Sequence, residues 1–223
     1  SKSYQEGTET RLVLKDTCFQ FQSGEFTAIL GKSGSGKTTL LNLISGIDKA
    51  DSGYIELNGE NLTLLNDHER TLLRRKHIGF IFQFFNLIPT LSVWENVILP
   101  LELNQMTSVA DFERASLLLS KVGLLDRRKN FPDQLSGGEQ QRVSIARSLV
   151  HQPEILLADE PTGNLDEATG REVLRLLNRL TRATAKNFIL VTHSPEAAAF
   201  ADRQVYLADG KLVESTQKVI PHL

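Results

Sequence analysis

Apolar residues along the chain fall into two patterns, short solid runs and helically spaced stripes. "FTAIL" (26–30), "EILLAD" (154–159) and "FILVTH" (188–193) are solid runs, too short for helices and suited to strands buried on both faces. The first feeds a glycine-rich loop and then the helical segment "KTTLLNLISGI"; the other two are also followed by helical patterns. "CFQFQSGEFTAIL" (18–30) reads as two short strands around a Ser-Gly-Glu turn, and "HIGFIFQ" (77–83) as another strand. Asn58-Gly59 in "YIELNGE" and Asp209-Gly210 in "QVYLADGKLVE" are hairpin turns. Residues 91–150 read as helical, in pieces, with charged faces. In "DEATGREVLRLLNRL" (166–180), Val173, Leu176, Leu177 and Leu180 share one helical face. Strands alternating with helices imply an α/β fold with a largely parallel sheet. Internal repeats, low-complexity tracts and long linkers are absent.

Length and charge narrow the picture further. The chain has 223 residues, enough for one large domain or a core with a subdomain. With 40% hydrophobic residues, 23% charged residues and a net charge of -2, nothing supports nonspecific nucleic-acid binding. The single cysteine, Cys18, forms no internal disulfide; it suits a reducing compartment and reads as a small core residue. Neither a signal peptide nor an apolar run of ~18 residues is present to place any segment in a membrane.

"GKSGSGKT" (31–38) fits the phosphate-binding P-loop pattern in the context that pattern requires, after a strand and opening a helix. Its glycines let backbone N–H groups wrap phosphates, Lys37 reaches the β- and γ-phosphates, and the Thr38 hydroxyl can ligate Mg²⁺. "EILLADE" ends a buried strand with two acids. Asp159 is placed to hold Mg²⁺ through water, and Glu160, one residue on, to polarise an attacking water. His193 closes "FILVTH" at the carboxyl end of a strand, where ligands of open α/β sheets bind. There it either donates to a γ-phosphate oxygen or is simply a hydrogen-bonded histidine. Gln83 ends its strand as a neutral amide, either a contact to Mg²⁺ or water, or a surface glutamine. Tyr4 offers a ring on which an adenine can stack. Asp166 reads as the N-cap of the helix that follows it.

A second phosphate grip is suggested far downstream. In "QLSGGEQQRVSIARSL" (134–149), Ser136 and Glu139 have the spacing of a capping box, so a helix starts there. Gly137 and Gly138 sit in its first turn, each at a cost of ~1 kcal/mol relative to alanine. Bare glycines at a helix N-terminus leave N–H groups open to a close anion. Two further stretches have competing readings. "ERTLLRRKH" (69–77) reads as a solvated helix face. "FFNLIPTLSVWENVILPL" (84–101) is too apolar for a loop and either packs internally or forms a docking surface.

Taken in order, "GKSGSGKT", Gln83, "LSGGEQQR", "ILLADE", "NLD" and His193 resemble the nucleotide-binding subunit of ATP-binding cassette transporters across essentially the whole chain. "DEPTGNLD" and "FQFFNLIPTLSVWENVILPL" are most similar to the lipoprotein-releasing and macrolide-exporter (LolD/MacB-like) type. The resemblance implies a P-loop NTPase (RecA-like) core with a mainly parallel sheet, an antiparallel β subdomain and an inserted α-helical subdomain. It implies a single domain over 1–223, with 1–88 and 152–223 as core and 89–151 as the helical part. Two subunits are then expected to sandwich two ATP molecules head to tail. Gly31, Lys32, Ser33, Gly34, Ser35, Gly36, Lys37, Thr38 and Thr39 of one copy face Ser136, Gly137, Gly138 and Glu139 of the other. By the same resemblance Tyr4 stacks adenine, Gln83 senses the γ-phosphate and Mg²⁺, Asp166 bridges the dimer and His193 clasps the γ-phosphate. The implied partners are a second copy and a transmembrane permease, not nucleic acid, with the subunit peripheral on the cytoplasmic face of the inner membrane. Two departures are small: Lys32 stands where proline is frequent in the family, and Glu139 where many relatives have glutamine. The rival expectations are a low-turnover scaffold that dimerises on ATP and a cassette ATPase without a transport role.

Overall fold

"FTAIL" is a strand with every residue covered, as suits a five-residue apolar run too short for a helix and buried on both faces of a sheet. A computed structural model of the protein describes residues 1–182 and 186–214. Its elements in chain order are β1 (Lys2–Glu6), β2 (Glu9–Leu14), β3 (Phe26–Leu30), α1 (Lys37–Ile44), β4 (Glu56–Leu57), β5 (Glu60–Asn61), α2 (Asp67–His77), β6 (Ile78–Ile81), α3 (Val93–Leu103), α4 (Val109–Lys121), α5 (Gly137–Leu149), β7 (Ile155–Asp159), α6 (Glu167–Arg182), β8 (Asn187–Thr192), α7 (Pro195–Ala198), β9 (Arg203–Ala208) and β10 (Lys211–Glu214). They form two units, one of Ser1–Arg74 with the segment from Asn187 onward, the other of Arg75–Lys186. The architecture is α/β with mainly parallel pairing.

In the first unit the strand order is β10-β9-β3-β8, with β3 parallel to both neighbours and β10 antiparallel at the edge. Its core holds Ile29, Leu41, Val191 and Val205, with the rings of Phe26 and Phe188 at 4.4 Å. Antiparallel β1–β2 forms a separate small sheet, as does β4–β5. Asn58 and Gly59 both take positive φ, 51° and 83°, as do Asp209 and Gly210, so both expected hairpin turns are present.

In the second unit β6 and β7 pair in parallel, and α3, α4, α5 and α6 supply the rest of a core around Ile81, Val97, Leu101, Leu119, Ile145, Leu157 and Leu177. Val173, Leu176, Leu177 and Leu180 are all buried on α6, as their spacing predicts. Helices α3, α4 and α5 each start with a complete capping box: Ser92 with Glu95, Ser108 with Asp111, Ser136 with Glu139. Asn96, fully buried, ties down the turn before α3 by donating to the carbonyls of Ile88, Leu91 and Ser92. None of the described helices is long and apolar enough to cross a membrane.

Several expectations are corrected. The segment 18–22 is not a strand, and Cys18 is exposed rather than in the core. Phe19 and Phe21 turn to one side and meet edge to face at 5.0 Å, and the Arg203 guanidinium lies 4.4 Å from the Phe19 ring centroid. Main-chain pairing in this region goes elsewhere, with Lys15 N donating to Gly210 O at 2.9 Å. The charged run on α2 is only partly solvated: Arg70 is 8% exposed and packs against Gly46, and Arg74, Arg75 and His77 are half-buried. The stretch 84–101 divides: Val93, Val97, Ile98 and Leu101 are buried, whereas Phe84 is 69% exposed.

One buried group makes stability depend on pH. His151 is 8% exposed; its Nε2 meets Ile78 O at 3.3 Å and its Nδ1 has no partner. Burial lowers its pKa from 6.5 to about 4, and the nearby Lys186 and Arg114 add to the shift. The unfolded chain therefore binds more protons between these values, and stability falls as pH drops from 6.5 toward about 4. Over that window the expected loss is about 3 kcal/mol. Thermal melts across this range should slope steeply for the native sequence and less for His151→Asn. Equal slopes would assign the acid sensitivity to other groups.

Candidate nucleotide site

Parallel register decides which side chains meet. In the first unit Leu30 pairs with Thr192, so β3 and β8 release Gly31 and His193 side by side at their carboxyl ends. The loop from Gly31 then turns into α1. Gly36 caps that helix at φ 100°, a left-handed conformation, and a Cβ on it would lie 2.6 Å from Val13 Cγ1. Only glycine serves there. No side chain caps α1, so its first N–H groups face the loop. Lys37 is 8% exposed, and its ammonium donates to Gly31 O at 2.9 Å and Lys32 O at 3.1 Å. The loop backbone thereby curves around a buried cation. Ser35 Oγ is buried with no hydrogen-bond partner, and a Cβ on Gly31 would fall 2.7 Å from it. An orphaned hydroxyl inside a ring of amides, next to a lysine, fits a phosphate. Lys32, Ser33 and Thr38 are exposed.

Tyr4 lies on β1 beside this loop. Its hydroxyl donates to Asp48 Oδ2 at 2.7 Å, and it also hydrogen-bonds to Thr39, the third residue of α1. Burial first, then the Asp48 carboxylate, pushes its phenol pKa up. The ring is 37% exposed, with the Lys2 ammonium 5.0 Å from its centroid. Arg11, which the sequence did not single out, reaches the P-loop from β2 by donating to Gly34 O at 2.9 Å.

In the second unit Ile81 pairs with Ala158, so Phe82 and Asp159 come side by side where β6 and β7 end. Gln83 lies two residues past its strand rather than at its end. A Cβ on Gly163 would meet Gln83 Nε2 at 2.9 Å, so the glutamine lies against the turn that follows β7. Its amide reaches Asn164 Oδ1 at 3.4 Å, and Asn164 Nδ2 returns a bond to Gln83 O at 3.0 Å. Glu160 has φ 45°, unusual for any residue but glycine, asparagine or aspartate. Strain of this kind clusters at functional sites. Asp166 caps α6 by accepting from Thr169 N at 3.0 Å, and the Thr169 hydroxyl and amide hold its carboxyl below the usual range.

Ser136 starts α5 as expected: its Oγ accepts from Glu139 N at 3.3 Å and Glu139 Oε2 accepts from Ser136 N at 2.8 Å. The Ser136 amide and hydroxyl hold the Glu139 carboxyl low. Ser136 is exposed. The two glycines now separate in role. A Cβ on Gly138 would fall 2.5 Å from Thr169 Cγ2, so this glycine lets α5 and α6 approach. One on Gly137 would make only ordinary contact, 3.4 Å from Leu165 Cδ2 and 3.5 Å from Phe85 Cζ. Sequence reasoning also missed Gln141, a polar residue at the buried spacing of α5, whose amide donates to Pro161 O. The signal was its place three residues after Gly138 and four before Ile145, both buried.

The family description "ABC transporter" matches residues 14–163, most of the chain. The chain belongs to that family. An uncharacterized ABC transporter ATP-binding protein of Mycobacterium tuberculosis is 52% identical over 218 residues, 98% of this chain and 88% of that one. The lipoprotein-releasing system ATP-binding protein LolD of Legionella pneumophila is 46% identical over 211 residues, 95% and 93% of the two chains. Among solved structures, a dimeric post-hydrolysis ATP-binding cassette bound to ADP and Pi has 41% identity and a TM-score of 0.88, covering 99% of this chain and 96% of that one. This ABC cassette is thus an ATP-binding subunit and an ATPase, of the LolD/MacB-like type.

The packing around Gly138 yields a stability test. Gly138→Ala should cost about 1–3 kcal/mol through overpacking. Gly137→Ala should be neutral or mildly stabilising, since alanine outranks glycine in a helix. Adding Thr169→Ser to Gly138→Ala removes the obstructing methyl and keeps the hydroxyl, so much of the loss should return. Thermal melts of the three variants check this; equal effects of the two alanines would refute it.

Proposed function

We propose that two copies of this cassette close around two ATP molecules, head to tail, and that closure drives a transmembrane permease. Lys37 and the loop amides of one copy hold the β- and γ-phosphates, and Ser136 with the glycine amides of α5 in the other copy covers the opposite face. Thr38 and Asp159 offer the hard oxygens that Mg²⁺ takes, Asp159 through water, and Gln83 would sense the γ-phosphate and the ion. Held there, Mg²⁺ would supply positive charge against the phosphates. Glu160 orients the attacking water and accepts its proton, while His193 donates to a γ-phosphate oxygen. Tyr4 stacks on the adenine and Asp166 contacts the partner across the dimer. We take 1–223 as one cassette, with 89–151 as its helical part and 1–88 plus 152–223 as its nucleotide-binding core.

The observation that carries this reading is Glu160, an acid directly after Asp159 held in a left-handed conformation at the end of a parallel strand. The likeness to a dimeric cassette holding ADP and Pi supports the ATP sandwich. The kinship with LolD supports export or extraction of a lipoprotein, peptide or drug from the inner membrane, with the cassette peripheral on its cytoplasmic face.

Glu160→Gln keeps size and a carbonyl acceptor but removes basicity. ATP should still bind and the second copy should still close, with hydrolysis blocked. Size-exclusion chromatography with ATP should then show a dimer for this variant, against a monomer for the native chain with ADP. A monomer under every nucleotide condition, with native turnover, would refute both the base and the sandwich.

Phe84 and Phe85 divide docking from packing. Phe84 is 69% exposed, whereas the Phe85 ring lies against Gly137. Phe84→Asp should abolish permease co-purification and leave the melting temperature in place. Phe85→Asp should lower that temperature by several degrees, since it removes a half-buried ring and leaves a partly desolvated charge in its place. Retained co-purification with Phe84→Asp would remove this surface from the docking site.

A further inference from the structure

Gln141 sits within α5, just past the signature, with no exposed surface. Its Nε2 donates to Pro161 O at 2.6 Å and reaches Phe82 O at 3.4 Å. Both acceptors are main-chain carbonyls, so the amide has one allowed orientation; the flipped form would set oxygen against oxygen. The remaining Oε1 is buried without a hydrogen-bond partner. A buried acceptor lacking a donor is costly, and leucine at this position would avoid that cost. The glutamine's own satisfaction is therefore not the reason it stands here.

Its two carbonyl partners supply the reason. Phe82 immediately precedes Gln83, and Pro161 immediately follows Glu160. Glu160 stands at φ 45° before a proline, which itself narrows the conformations open to it. Such a conformation persists only where neighbouring bonds fix it. On one side Gly163 N donates to Glu160 O at 3.0 Å, closing the turn. On the other, the Gln141 amide grips the next carbonyl.

We propose that Gln141 is a positioning residue for hydrolysis: from the signature helix, its buried amide fixes the Pro161 and Phe82 carbonyls and so holds Glu160 in its left-handed conformation. This rests on the reading of Glu160 as the base. The same helix that presents Ser136 to the partner's ATP then sets the carboxylate that serves its own copy's ATP. A shift of α5 on engaging the second nucleotide would be transmitted to Glu160 through one side chain.

The test uses the purified chain with three variants. Gln141→Leu removes the donor and keeps the volume. Gln141→Glu puts a carboxyl in the same place; burial raises its pKa, and only the protonated form can donate to Pro161 O. Glu160→Gln serves as the reference for the base itself. Three quantities are read: the melting temperature, the affinity for a fluorescent ATP analogue, and kcat with KM for ATP hydrolysis. For Gln141→Leu the expected result is a melting temperature and analogue affinity close to native and a kcat lowered by about ten-fold or more. For Gln141→Glu, activity relative to the native chain should rise as pH falls from about 8 to about 6, while the ratio for Gln141→Leu stays flat. Native kcat in Gln141→Leu, with Glu160→Gln inactive, overturns the proposal and leaves the base intact. Native turnover in Glu160→Gln overturns the base reading and the proposal together. If Gln141→Leu melts many degrees lower and Gln141→Glu shows no recovery at low pH, the role is structural and the proposal fails.

Discussion

In a parallel pair both chains leave the sheet at the same end, and the ladder register decides which departing residues become neighbours. Leu30 opposite Thr192 makes Gly31 and His193 adjacent, and Ile81 opposite Ala158 does the same for Phe82 and Asp159. A slip by one residue would exchange the side chains of each strand between its two covered faces, where each would meet the neighbours shaped for another. The chemistry of this cassette thus depends on plain packing of Ile29, Val191, Leu157 and their neighbours, which fixes where the loops begin. The loops need then solve only local problems: curving amides round Lys37, and turning sharply after Asp159.

Helix α5 solves a different problem, that of being held from several directions without losing a free N-terminus. Its capping box satisfies the Ser136 and Glu139 amides. Gly138 admits α6, and at the other end β6 comes so close that a Cβ on Gly79 would lie 2.2 Å from Ser148 O. Between these points the attachments are side-chain bonds to main-chain carbonyls: Gln141 to Pro161, and Arg147 to Asn86 at 2.6 Å and Phe85 at 3.0 Å. Carbonyl acceptors carry no net charge, so the half-buried Arg147 cation gives up hydration without a carboxylate partner among the described residues, and desolvation lowers its pKa.

Much of the fold and the site could be read from sequence where residue identity carries the geometry. Solid apolar runs gave β3, β7 and β8, and Asn58-Gly59 and Asp209-Gly210 gave turns, because few other residues accept those backbone angles. The P-loop, Asp159, Glu160 and Ser136 stood out for the same reason: phosphate binding and helix capping demand particular residue types at fixed spacing. The polar β1–β2 hairpin escaped notice, since Lys2–Glu6 and Glu9–Leu14 are mostly exposed and show no alternation to read. Cys18 and its neighbours misled in the opposite sense, because Phe19 and Phe21 pack on each other and on Arg203 rather than joining a sheet. The packing of Gly138 against Thr169 was not legible, because it depends on a residue 31 positions away in sequence, which no local pattern encodes. Gln141 was hidden for the same reason: its partners come from two distant strand ends.

The exposed Cys18 has a practical consequence. It is the chain's one thiol, set in a loop between β2 and β3 and away from Lys37, Glu160 and Ser136 in sequence. A maleimide dye would therefore attach at a single defined point without any engineered cysteine and without removing native ones. If two copies close on ATP as proposed, mixing donor-labelled with acceptor-labelled chain would put a donor–acceptor pair in the mixed dimers. Their approach and separation can then be timed through a catalytic cycle by energy transfer, in the native sequence, while nucleotide is consumed.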